Sequence, residues 1–164
     1  MIATLAAVAS ILIAMAAFAL MEPITAATHR WVMHGVGWFL HRSHHRRLAT
    51  RFEANDAFPV IFAAIVCLAM AVGFNADGWS VLVPVSVGIT LYGVAYGLVH
   101  DGYIHRRLRI FGGWRPVALD ALAGAHQLHH RFNDAPYGML VPIVPDRVRQ
   151  RASGSTPSQV PVDA

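Results

Sequence analysis

Ten histidines in four short clusters are the residues of this chain best suited to chemistry. The clusters read HRWVMH, HRSHH, HDGYIH and HQLHH, and they hold every histidine of the 164-residue sequence: His29, His34, His41, His44, His45, His100, His105, His126, His129 and His130. The spacings HxxxxH and HxxHH each occur twice, in the same order. Because imidazole is a ligand of zinc, copper, iron and nickel, these clusters predict a metal centre.

The spacing within each motif predicts which imidazoles can share an ion. On an α-helix, residues three and four apart are neighbours, so the first histidine of HxxHH shares a face with both others. The last two diverge by about 100°, and the triplet can therefore reach two ions. The two histidines of HxxxxH diverge by about 140° on an α-helix. That divergence favours flanking a pair of ions over chelating one.

The number of imidazoles favours two iron ions over other metal sites. A structural zinc ion needs four ligands, and two haems with two histidines each would not explain adjacent pairs such as His44–His45. Two six-coordinate ions can use ten nitrogens and still bind an oxygen ligand. The alternative is a metal site that serves stability or storage alone. Three acids close to the clusters are candidates to accept the second N–H of a ligating imidazole: Asp101, Asp120 and Asp134.

Three long apolar stretches must position these clusters. The chain is 55% hydrophobic and 13% charged, with a mean hydropathy of +0.46, which is typical of a small membrane protein. Residues 2–21, 57–74 and 81–99 are each close to the ~20 residues that cross a bilayer. The first stretch lacks the basic start of a signal peptide, so we interpret it as a membrane helix. We predict an all-α integral membrane bundle of three to four membrane helices, with one domain over 1–151 and a disordered tail over 152–164.

The arginines predict the orientation of the chain in the membrane. Four of them lie between the first and second apolar stretches: Arg42, Arg46, Arg47 and Arg51. More arginines follow the third stretch, whereas the loop NADGW between the second and third carries only Asp77. Because cytoplasmic loops are enriched in basic residues, we predict that the Asp77 loop is external. The histidine-rich di-metal site then lies on the cytoplasmic side.

Three further motifs extend the pattern beyond histidine: RFEAND (51–56), GITLYGVAYGLVHDG (88–102) and RFNDAPYG (131–138). With the four clusters, they resemble the membrane-bound di-iron fatty-acid hydroxylase/sterol desaturase superfamily, and most closely its β-carotene hydroxylases, over residues 22–145. The resemblance implies a non-haem di-iron monooxygenase in which all ten histidines bind iron. It also implies O2 as co-substrate and conversion of β-carotene into β-cryptoxanthin and zeaxanthin.

The resemblance further implies the partners and the location of the protein. A ferredoxin-type carrier would supply electrons, membrane lipid would surround the protein, and no nucleic acid is expected as a partner. Plant members of this family begin with a plastid-targeting region, and this sequence begins directly with an apolar stretch. The location expected from this difference is the inner membrane of a bacterium.

Other functions remain open at this level. A fatty-acid or sterol-type hydroxylase or desaturase, or a carotenoid ketolase, would share the metal and differ in substrate or product. A zinc-dependent membrane hydrolase would need a glutamate beside its histidine ligands, as in HExxH, and no histidine here has an adjacent glutamate. A metal or haem carrier without catalysis is a third class.

Overall fold

The regular structure of the chain is helical throughout the residues that the structure, a computed structural model, describes: 1–46 and 52–154. The elements are α1 (Ile2–Thr28), a first π-helical segment (His29–Val36), α2 (Trp38–His41), a 3₁₀ turn (Ala54–Asp56), α3 (Ala57–Asn75), α4 (Leu82–Gly97), a second π-helical segment (Leu98–Ile104), α5 (Val117–Phe132) and α6 (Asp146–Gly154). The predicted all-α class is confirmed for these ranges.

Three helical stretches are long and apolar enough to cross a membrane: Ile2–Val36, Ala54–Asn75 and Leu82–Ile104. The first two contain the apolar stretches 2–21 and 57–74, and the third covers all but the first residue of 81–99. Their large apolar side chains are widely exposed, as shown by Leu12, Ile65 and Leu91 at 59%, 59% and 54%. Contiguous exposed apolar surface of this kind is stable in lipid, where helices satisfy their own backbone hydrogen bonds. The chain is a multi-pass membrane protein.

The chain divides into two compact units. One, the membrane unit, comprises Met1–Glu22 and Asp56–Ala95, and the other, the histidine unit, comprises Pro23–Asn55 and Tyr96–Ala164. The predicted single domain over 1–151 stays a prediction. Helix α6 includes residues 152–154 of the predicted disordered tail. The rest of that tail, 155–164, lies outside the described residues, as do Arg47 and Arg51 of the predicted cytoplasmic loop.

Within the membrane unit, α1 and α4 approach each other closely at Gly88. A Cβ atom at this position would meet the carbonyl oxygen of Ala14 and lie 2.8 Å from the Cβ of Ala17. Small residues at such crossings let two membrane helices pack backbone against backbone. One turn further along α4, the Tyr92 hydroxyl donates a hydrogen bond to the Glu22 carboxylate at 2.6 Å. This bond gives the Glu22 carboxylate a partner, which offsets the cost of placing an acid within an apolar helix.

Replacing Gly88 by alanine should lower the stability of the protein by about 1–3 kcal/mol, because the new methyl group forces α1 and α4 apart. Gly93 lies on the same helix, and a Cβ atom there would meet no described atom within 4 Å, so Gly93→Ala is the matched control. The control should match the parent or exceed it slightly, because alanine favours a helix over glycine. Thermal unfolding in detergent measures both variants. Equal stability of the two would contradict the close approach.

Candidate metal centre

The first HxxxxH motif lies within a π-helical segment, and the second begins in the other π-helical segment and ends at His105, the residue that caps it. In the second segment, the backbone N–H of His105 donates to the carbonyl of His100 at 2.9 Å, which closes a turn over five residues. Residues five apart therefore lie on one face of such a helix. The ring centroids of His29 and His34 are 5.0 Å apart, and those of His100 and His105 are 4.6 Å apart. The predicted divergence of each pair was wrong because it assumed α-helical geometry.

The two HxxHH motifs differ in local structure. The second lies on α5, as expected for a helical triplet: His126, His129 and His130. In the first, His41 is the last residue of α2, and His44 and His45 follow in turns. The hydroxyl of Ser43 donates to the carbonyl of Leu40 at 2.7 Å, and serine in this position competes with helix continuation. The helical expectation is therefore confirmed for HQLHH and wrong for HRSHH.

All ten imidazoles converge, and they do so in two groups. The first group contains His29, His34, His41, His45 and His129. The second contains His44, His100, His105 and His126, with His130 beside them. Each HxxHH triplet contributes to both groups, whereas each HxxxxH pair stays within one. The rings of His45 and His130 stack with centroids 4.4 Å apart and connect the two groups.

The Nε2 atoms in each group have the spacing of neighbouring ligands on one ion. The Nε2 atom of His41 lies 3.0 Å from that of His29 and 3.2 Å from that of His45. In the second group, the Nε2 atoms of His44 and His100 are 3.0 Å apart. Two nitrogens bound at about 2.1 Å in adjacent positions of an octahedron would be about 3.0 Å apart. The donor set therefore fits one six-coordinate ion in each group.

Hydrogen bonds at Nδ1, the outer nitrogen of each ring, fix the tautomers of two imidazoles in the first group. The Nδ1–H of His29 donates to the carbonyl of Tyr137 at 3.0 Å, and the Nδ1–H of His41 donates to Oδ1 of Asn55 at 2.7 Å. Because both acceptors are oxygens without a proton, each neutral ring keeps a lone pair on Nε2. These two lone pairs face each other, buried and with no proton between them. Two facing lone pairs repel each other, and a cation bound between them removes this repulsion.

The second group repeats this arrangement with charged acceptors. The Nδ1–H of His44 donates to the Glu53 carboxylate at 3.2 Å, and the Nδ1–H of His100 donates to the Asp101 carboxylate at 3.3 Å. Their Nε2 atoms again face each other. Ligating histidines in metalloproteins characteristically donate their second N–H to a carboxylate or carbonyl in this way.

Burial keeps four of the imidazoles outside the membrane-spanning stretches neutral. It lowers the pKa of His41 to about 3 and that of His45 to about 2. In the second group, burial lowers the pKa of His105 to about 2 and holds the pKa of His126 well below its ordinary value. Neutral imidazole is the form that binds a metal ion. These residues are therefore ready to bind metal at neutral pH without first losing a proton.

Asp134, one of the three acids singled out in the sequence, contacts the imidazole of His129 through its main-chain carbonyl. Asn133 adopts a left-handed conformation with φ of 50° and ends α5, as asparagine often does at helix C-termini. The chain then returns so that the carbonyl of Asp134 accepts from the Nδ1–H of His129 at 2.6 Å. The Asp134 carboxylate accepts from the backbone N–H of Ala135 and from Arg147.

The other two acids differ from each other. Asp101 accepts from His100, as the sequence suggested. Asp120 accepts from the hydroxyl of Tyr103 at 2.6 Å and from the guanidinium of Arg115 at 3.0 Å. Within the described residues, none of its hydrogen bonds goes to a histidine. Asp120 thus belongs to a neighbouring polar cluster.

Sequence reasoning missed three outer partners of the imidazoles: Glu53, Asn55 and Tyr137. Their signal was present, because Glu53 and Asn55 belong to RFEAND and Tyr137 belongs to RFNDAPYG, the motifs without histidine. Asn55 is only 7% exposed, which agrees with a structural contact rather than a surface position. The Tyr137 ring also lies 5.3 Å from that of His34.

Comparison with known proteins identifies the family of this chain. The family model for fatty acid hydroxylases matches residues 14–150. A "Beta-carotene hydroxylase" of Pseudescherichia vulneris is 46% identical over 110 residues, which cover 67% of this chain and 61% of that relative. One from Paracoccus sp. (strain PC1) is 35% identical over 144 residues, or 85% of this chain and 88% of the relative.

Plant proteins show the same similarity. "Beta-carotene hydroxylase 1, chloroplastic" of Capsicum annuum is 38% identical over 124 residues, which cover 69% of this chain and 37% of the relative. No solved structure matches the chain. The family match over residues 14–150 includes all four histidine clusters. The chain belongs to the fatty acid hydroxylase family.

Proposed function

We propose that this chain is a β-carotene hydroxylase, an oxidoreductase that adds hydroxyl groups to the β-ionone rings of β-carotene. The products are β-cryptoxanthin and then zeaxanthin. The observation that carries the proposal is the convergence of ten imidazoles in two groups within a multi-pass membrane protein. The names of the bacterial and plant relatives support this substrate. A carotenoid is soluble in lipid and can reach such a protein through the bilayer.

We propose two iron ions as the metals, with all ten histidines as their ligands. When bound, they supply the activation of O2 that hydroxylation of a ring C–H bond needs. One oxygen atom enters the C–H bond and the other leaves as water, which requires two electrons and two protons from a donor. The chain has one cysteine, Cys67, and cannot build an Fe–S cluster of its own. A ferredoxin-type carrier is therefore the proposed electron donor.

The side chains around the imidazoles hold them in the orientation that this reaction needs. Hydrogen bonds to the outer nitrogens aim the Nε2 lone pairs of His29 and His41 inward. The ring of Trp38 packs 5.3 Å from that of His34, and the ring of Tyr96 packs 5.2 Å from that of His100. These aromatic rings restrict rotation of the imidazoles.

Pigment analysis tests the proposed reaction. Expression in a bacterium that accumulates β-carotene should yield β-cryptoxanthin and zeaxanthin, and the yield should depend on O2 and on iron in the medium. If well-expressed protein leaves only β-carotene, the carotenoid substrate is wrong. Keto-carotenoids in place of hydroxylated products would identify a ketolase. One bound zinc per chain and no product would favour the zinc-dependent hydrolase, whereas hydroxylated or desaturated fatty acids or sterols would identify those alternative substrates.

The proposed location is the bacterial inner membrane, with the histidine clusters on the cytoplasmic side. The argument is the arginine asymmetry, since the loop with Asp77 carries no basic residue. In a Cys67→Ala background, a cysteine replacing Asp77 should react with a membrane-impermeant thiol reagent outside intact cells. A cysteine replacing Arg47 should react only after the cells are opened. The opposite labelling pattern would reverse the orientation.

A further inference from the structure

The acceptors behind the two histidine groups differ in charge. Behind the first group, three Nδ1–H groups reach neutral acceptors, namely the carbonyl of Tyr137, the side-chain amide of Asn55 and the carbonyl of Asp134. Behind the second group, two Nδ1–H groups reach carboxylates, those of Glu53 and Asp101. Three imidazoles of the first group are thus held by neutral acceptors, and two of those in the second group are held by negatively charged ones.

The two carboxylates are placed to act strongly on the second group. The Glu53 side chain is 13% exposed and that of Asp101 is 31% exposed, so water screens them only in part. Arg107 pairs with Asp101 at 3.1 Å and offsets part of its charge. The negative charge of Glu53 lies directly behind His44, at 3.2 Å from its Nδ1. Among the direct acceptors of the Nδ1–H groups, the negative charges therefore lie behind the second group.

A carboxylate behind an imidazole affects a bound cation in two ways. It makes the ring a stronger donor, because it draws on the Nδ1 proton and leaves more electron density on Nε2. It also adds a direct attraction between its own charge and the cation, which is strong in a buried site of low dielectric. A neutral carbonyl or amide fixes the orientation of the ring but adds no net charge.

We propose that the two metal positions are inequivalent and that the second group binds its ion first and more tightly. Glu53 and Asp101 are the positioning residues that produce this difference, and the neutral amide of Asn55 keeps the first group the weaker site. The inference rests on the proposed function in one respect, namely that the two groups hold two metal ions.

Titration of the full-length, metal-free protein with Co²⁺ in detergent tests the inequivalence. Cobalt matches the charge of ferrous iron, accepts nitrogen ligands, and gives visible absorption bands that report its surroundings. Two classes of site are expected. Glu53→Gln and Asp101→Asn should each lower the affinity of the tighter class by about 10–100-fold, the usual effect of losing an outer partner. Neither should change the weaker class.

The reverse substitution guards against damage to the fold as an explanation. Asn55→Asp places a carboxylate behind His41 and should raise the affinity of the weaker class, and a gain of affinity cannot result from misfolding. Asp146→Asn is the control, because this exposed carboxylate at the start of α6 has no hydrogen bond to a histidine among the described residues. It should leave both classes unchanged.

Three results would overturn the inference: a single class of site in the parent, loss of affinity in the weaker class of Glu53→Gln, or no gain in Asn55→Asp. These results are distinct from failure of the proposed function. Two classes that respond as expected in a protein that leaves β-carotene unchanged would refute the hydroxylase and retain the inequivalent sites. Zeaxanthin formed by a protein with one class of cobalt site would support the hydroxylase and refute the inequivalent sites.

Discussion

Replacement of His126 by alanine is expected to abolish conversion of β-carotene in a β-carotene-accumulating host. The Nε2 atom of His126 lies 3.0 Å from that of His105 and 2.9 Å from that of His130, so the change removes a central donor of the second group. Loss of an outer partner alone costs about 10–100-fold in metal affinity or activity, and loss of a direct ligand should cost more than about 100-fold. Zeaxanthin yield and bound iron per chain measure the effect.

The neighbouring residue provides a matched control for this experiment. Gln127 follows His126 on α5 and is exposed, so Gln127→Ala changes the same helix without touching the imidazoles. This control should retain normal zeaxanthin yield and iron content. The same loss as in His126→Ala is expected for His41, His44, His100 and His129. Full activity in several of these variants would rule out a ten-histidine centre.

Removal of the two proposed iron ions is expected to destabilise the histidine unit strongly. Without a cation, the lone pairs of His29 and His41 face each other across 3.0 Å, and those of His44 and His100 do the same. A ligand that binds only the folded state stabilises it by about 2.7 kcal/mol when its free concentration is 100 times its Kd. Two bound ions should therefore raise the unfolding temperature markedly. Thermal unfolding before and after chelation measures this difference.

A local signal distinguishes this effect from a general influence of the chelator. The Trp38 ring lies 5.3 Å from those of His34 and His45, so its fluorescence, taken as the difference between the parent and Trp38→Phe, reports on the first group. Iron added back should restore both the unfolding temperature and the fluorescence of the native protein. In His126→Ala, much of the gain on adding iron should be lost. An unfolding temperature independent of iron would show that the imidazoles do not bind it.

Hydropathy and residue type were sufficient to predict the membrane-crossing stretches and the candidate metal ligands of this protein. The three membrane-crossing stretches follow from local composition, because a run of about 20 apolar residues has few alternatives to a membrane helix. The ten candidate ligands follow from histidine spacing, since no other residue type here clusters so strongly. Asp101 was also within reach of the sequence, because it is adjacent to His100 and needs no distant part of the chain to contact it.

The sequence did not predict whether a segment forms an α-helix or a π-helix. The π-helical geometry in the structure changed the interpretation of the HxxxxH pairs. The sequence of His29–Val36 is compatible with either an α-helix or a π-helix, and the two place residues five apart on different faces. The choice depends on the contacts that surround the segment. The distribution of histidines between two groups therefore emerges only when all four clusters are packed together.

The outer hydrogen bonds were decided by tertiary structure as well. His29 and its acceptor Tyr137 are separated by 108 residues, and His41 and Asn55 by 14. Such pairs are set by where the chain returns, for example at the left-handed Asn133 that ends α5. Residue type and spacing determined that this chain collects imidazoles within a membrane protein. Only the folded structure decided which nitrogens face inward and what charge lies behind them, because both depend on contacts between segments distant in sequence.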